Sequence, residues 1–144
     1  MNQPKNLNWR GMRLSTGFYF QDLIRSVLVF ADTPESVVCI ERVINLFETD
    51  CRNAGQWQDA SEMLGKLCYA HPDAYKESGT WLDGAPSLMA MGAAMEAASC
   101  VSHELCWGED NKDGIARGKA FKAFKYVLRA FRDAGPDKAQ SCLT

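Results

Sequence analysis

Residues 86–108 read PSLMAMGAAMEAASCVSHELCWG, and their reading decides the fold. Pro86 suits the first position of a helix, where its missing N–H would have had no partner anyway. Gly108 is a natural stop just past Trp107. Between them Ala90, Gly92, Ala93, Ala94, Ala97, Ala98 and Ser99 leave a smooth cylinder with little bulk. A mid-helix glycine costs about 1 kcal/mol relative to alanine. Close approach of a neighbouring backbone is the expected return. This helix is therefore expected at the centre of a bundle.

Working outward, the sharpest boundary upstream is Asp32-Thr33-Pro34-Glu35. Thr33 caps, Pro34 occupies the first helical position, and Glu35 complements the helix dipole. A helix then follows to about Asn53, with Val37, Ile40, Val43, Ile44, Phe47 and Cys51 on one stripe and Gly55 as its stop. Before this boundary, Phe20, Leu23, Ile24, Val27, Leu28 and Ala31 keep i, i+3, i+4, i+7 spacing, which predicts a helix over 17–31 with Thr16 as its cap. A further helix over 56–70 runs through Trp57, Ala60, Leu64, Leu67 and Cys68 and ends at Pro72.

Downstream of the central helix, residues 114–134 carry Phe121, Phe124, Val127, Leu128 and Phe131, which are expected to face the core, before Gly135-Pro136. The expected fold is all-α: one domain over 1–144, a bundle of about five helices. Residues 1–14 read as an arm docked by Trp9. The stretch 72–85 is irregular and held by Tyr75, Trp81 and Leu82, and 137–144 form a loose tail.

The chain has 144 residues and a formal net charge of −2, with 47% hydrophobic and 24% charged residues. That balance excludes collagen-like and broadly disordered classes. No run of roughly 18 uncharged apolar residues suggests a membrane span. The opening Met1-Asn2-Gln3-Pro4-Lys5-Asn6 lacks the apolar core of a signal peptide. Six cysteines, at 39, 51, 68, 100, 106 and 142, include no Cys-x-x-Cys pair. The expected setting is the reducing cytoplasm, with thiols serving as small apolar side chains.

The small net charge hides a strong asymmetry. Residues 1–31 carry +3, residues 32–110 carry −10, and residues 111–144 carry +5. Charge separated in this way either steers a partner or is neutralised inside the fold.

Candidate chemistry is sparse. Glu109, Asn111, Asp113 and Gly114 match the start of a calcium-binding loop, but the position of the bidentate glutamate is Ala120, so a helix-capping loop is the better account. Cys68 with His71 and Cys100 with His103 are two i, i+3 pairs that would make a four-ligand zinc site if tertiary structure brought them together. The spacing alone is unspecific, and no resident metal or cofactor is expected. Glu96, Cys100 and His103 share a helix face and combine carboxylate, thiol and imidazole, the parts of a thiol nucleophile. No cleft or oxyanion donors accompany them, and a polar, partly exposed face is the simpler account. Phosphate-binding loops and nucleophile elbows are absent from the sequence.

The clearest surface signals are electrostatic. Lys122, Lys125, Arg129 and Arg132 fall within about 80° of one another on the last helix. Glu41, Glu48, Asp59 and Glu62 offer carboxylates from the second and third helices. The leading expectation is a non-enzymatic protein that binds another macromolecule, in the first place a protein. One form of it is a small inhibitor or adaptor whose acidic surface occupies a basic groove of a nucleic-acid-handling complex. The alternatives are a nucleic-acid binder using the basic face of 114–134 and a zinc- or thiol-dependent enzyme. Neither a membrane nor a small-molecule substrate is expected as partner. In size and tryptophan content the chain resembles small inhibitors and adaptors carried by mobile elements, without a matching motif.

Overall fold

In the computed structural model, residues 20–71, 85–107 and 115–134 are described. They form five helices packed on one another as an all-α bundle, with no strand among them. These are α1 (Phe20–Ser26), α2 (Pro34–Glu48), α3 (Ala54–Ala70), α4 (Pro86–Trp107) and α5 (Ile115–Ala134), with a single 3-10 turn at Leu28–Phe30 after α1. The arm 1–14, the Thr16 cap, most of the irregular stretch 72–85, the loop holding Glu109, Asn111, Asp113 and Gly114, and the tail 137–144 lie outside the described residues.

The central position of α4 holds. Its broadest contacts are with α5 and α3, and α1 and α2 touch it as well. Leu88, Met89, Ala90, Met91, Ala93, Ala94, Ala97, Ala98, Cys100 and Val101 are all buried. Gly92 is buried among them. A helix without a polar face can only sit inside. Three of its polar groups find partners on α3 or at its C-terminal end. Ser61 Oγ donates to the Met95 carbonyl at 3.0 Å and Ser102 Oγ donates to the Ala54 carbonyl at 3.2 Å. His71 Nε2 pairs with Ser87 Oγ at 3.0 Å.

The Thr33 boundary forms as expected. Thr33 Oγ1 accepts from the Ser36 N–H and Ser36 Oγ accepts from the Thr33 N–H, both at 3.1 Å, with Pro34 opening α2. This reciprocal cap pairs two donors that a helix start otherwise leaves open.

Two boundaries differ from expectation. The first helix does not run on to residue 31. Ser26 Oγ donates back to the Leu23 carbonyl at 2.6 Å, a local bond that competes with the helical ladder, and the chain tightens into the 3-10 turn. Phe30 is buried as a result, and Leu28 stays half-exposed. The second helix ends at Glu48, well short of Asn53. Asp50 takes the left-handed conformation at φ 50°, reversing the chain without a glycine. Asn53 then caps α3, accepting from the Gln56 N–H at 3.2 Å. Gly55 is not a stop but part of the first turn of α3, where a Cβ would stand 3.1 Å from Asn53 Oδ1 and crowd that cap.

Candidate interaction surface

The largest departure from the sequence reading is the rotation of α5. The residues that meet the core are Ala123, Val127 and Ala130, all buried, at i, i+4 and i+7. Phe121, Phe124 and Leu128, expected to face inward, are 65%, 38% and 54% exposed. Of the expected stripe only Val127 is buried, and Phe131 is partly buried. The physical reason lies in α4. A cylinder surfaced with alanine and glycine admits a close partner only if that partner is also slim where they touch. Phe131 avoids the conflict at the seam by meeting Phe30 edge to face, with ring centroids 5.3 Å apart.

With the small residues turned inward, the outer side of α5 becomes a composite surface. Phe121, Phe124 and Leu128 form one strip. Beside it stand Lys122, Lys125 and Arg132, all exposed, and the half-buried Arg129. All four predicted cations thus share this flank. Lys122 keeps 58% of its side chain in solvent while its Nζ comes within 4.0 Å of Glu96 Oε2. Lys119 Nζ lies 4.0 Å from Glu96 Oε1.

Glu96 is correspondingly not part of an exposed polar face. It and Cys100 are buried between α4 and its neighbours, and His103 is half-buried. Burial pushes the Cys68 thiol up to about 12, with the Glu96 carboxylate adding to the effect. The Cys100 thiol is pushed far above its ordinary value, by burial first and the Glu104 carboxylate second. Thiols held protonated in this way are poor nucleophiles and poor metal ligands at neutral pH. His71 is engaged with Ser87, and among the described residues no three of His, Cys, Asp and Glu gather where they could hold a metal ion. Cys68, His71, Cys100 and His103 therefore do not converge into the zinc site their spacing allowed. The five described cysteines are free thiols.

The acidic candidates lie on α2 and α3, which pack on each other, whereas α5 packs chiefly on α4. Glu41, Glu48, Asp59 and Glu62 are all exposed. Glu48 is joined to Arg25, which also reaches Asp22 at 3.1 Å. Glu62 accepts from Gln58 Nε2 at 2.9 Å. On a helical wheel Lys66 falls between Asp59 and Glu62, so the carboxylate surface of α3 is interrupted where the cationic strip of α5 is not. A shallow depression lined by Asp22, Arg25, Ser26, Leu28 and Val29 opens beside α1. Its charged groups are already paired with each other and with Glu48.

Among the described residues no helix is long and apolar enough to cross a membrane. No family model, curated protein or solved structure matches the chain.

The apolar strip on α5 was missed because aromatic rings at helical spacing ordinarily mark a core. The signal that points to it is the alternative stripe, Ala120, Ala123, Val127, Ala130 and Ala134, whose small size matches that of α4.

Proposed function

We propose that this protein acts by binding another macromolecule, a protein, and not as an enzyme. One observation carries the reading. Phe121, Phe124 and Leu128 stand in solvent on the flank of α5 that also carries Lys122, Lys125, Arg129 and Arg132. Single exposed apolar residues are ordinary, but a contiguous group bordered by charge is the usual composition of a contact surface. The interior supports the same reading. Its thiols are held protonated by burial, and Glu96 is engaged with Lys119 and Lys122.

The opposite charge supports a second reading. Glu41, Asp59 and Glu62 share the outward faces of α2 and α3 with the exposed Val38, Met63 and Tyr69. An inhibitor presenting that face would fit a basic groove of a nucleic-acid-handling protein.

Two variants separate these readings in a quantitative crosslinking pull-down from the native host. Phe121→Ser with Leu128→Ser alters the α5 strip. Glu41→Gln, Asp59→Asn and Glu62→Gln alter the acidic face. Loss of the crosslinked protein only in the first supports α5, and loss only in the second supports the acidic face. Parental retention in both would overturn surface recognition by either. Retention abolished by nuclease assigns the cations to nucleic acid.

A further inference from the structure

We draw no further inference here: the strongest candidate, the exposed apolar strip of Phe121, Phe124 and Leu128 along the outer flank of α5, carries nothing beyond the contact surface already described, because nothing in the structure shows what covers it.

Discussion

The indole N–H of Trp57 donates to the backbone carbonyl of Cys51 at 2.9 Å. Trp57 is completely buried and lies edge to face with Phe47, ring centroids 4.7 Å apart. One side chain of α3 thus holds both the last turn of α2 and the chain that leaves it. Trp57→Phe keeps most of the packing but strips a part-buried carbonyl of its donor, a loss of about 1–3 kcal/mol. Trp57→Ala removes the ring as well and should cost about 3–5 kcal/mol. Urea denaturation gives both values. A phenylalanine variant as stable as the parent would mean that the hydrogen bond does not hold this corner.

Asp50, in the same corner, makes the opposite prediction. Its φ of 50° strains a residue with a Cβ, and its ion pair with Arg52 is solvent-exposed. Asp50→Gly relieves the strain and gives up the surface ion pair with Arg52, a weak contact. Stability should rise by up to about 1 kcal/mol. Asp50→Val, stiff at the same φ, should lower it. A glycine variant less stable than the valine one would contradict the left-handed assignment.

The rotation of α5 is tested by a pair of substitutions with reversed expectations. Phe124→Ala trims a ring that is already partly in solvent and should fall well short of the 3–5 kcal/mol of a buried phenylalanine. Ala130→Leu forces bulk between α4 and α5 and should cost about 1–3 kcal/mol or more. Thermal melts that rank the two the other way would restore the phenylalanine face to the core.

These contrasts locate what was legible in the sequence. Helix starts at Pro34 and Pro86 were readable because the chemistry that makes them is local: a hydroxyl cap, a proline and an unpaired N–H. The centrality of α4 was readable because a helix without a polar face has nowhere else to go. The end of α1 depends on whether Ser26 bonds back to Leu23 or faces water, and the spacing of apolar residues does not record that choice. The facing of α5 depends on the surface of another helix. Phe121, Phe124 and Leu128 satisfy the inward pattern by themselves, and only the alanines of α4 reverse it. The four cations were found as a group, yet their apolar neighbours, which carry the functional reading, were assigned to the wrong side.

Burial of the thiols predicts a pH dependence with a definite sign. Cys68 stands at about 12 in the fold against an ordinary 9.0. As pH rises through that window the unfolded chain ionises first and binds fewer protons than the native one. Stability is therefore complete below pH 9 and falls toward pH 12, by at most about 1.4 kcal/mol per pH unit for each such thiol. Cys68→Ala should flatten the slope relative to the parent, which cancels the titration of other groups. Alkylation at pH 8 gives a second reading: the exposed Cys106 should label in the native protein, and Cys68 and Cys100 only after unfolding. Native labelling of Cys68 would show that its burial is breached.

Glu96 decides whether the cationic edge of α5 is anchored or merely adjacent. Its carboxylate is 11% exposed, with Lys119 and Lys122 each 4.0 Å away. At that distance the contact is attraction between charges, without the directionality of a short hydrogen bond. Glu96→Gln preserves the shape and removes the charge. It also removes the cost of holding an ion out of water, so the net loss should be modest, about 1 kcal/mol. The partners can be ranked. Lys119 is 32% exposed and Lys122 58%, so water screens the second more strongly. Double-mutant cycles with Lys119→Met and Lys122→Met should give the larger coupling for Lys119, roughly 0.5–1 kcal/mol, and less for Lys122. Raising the salt should reduce the Lys122 term first. A larger coupling to Lys122 would mean that α5 is turned further toward α4 than described. On the helical wheel that turn would draw Lys122 inward and carry Phe124 and Leu128 further into solvent, leaving the apolar strip exposed but without Lys122 on its edge.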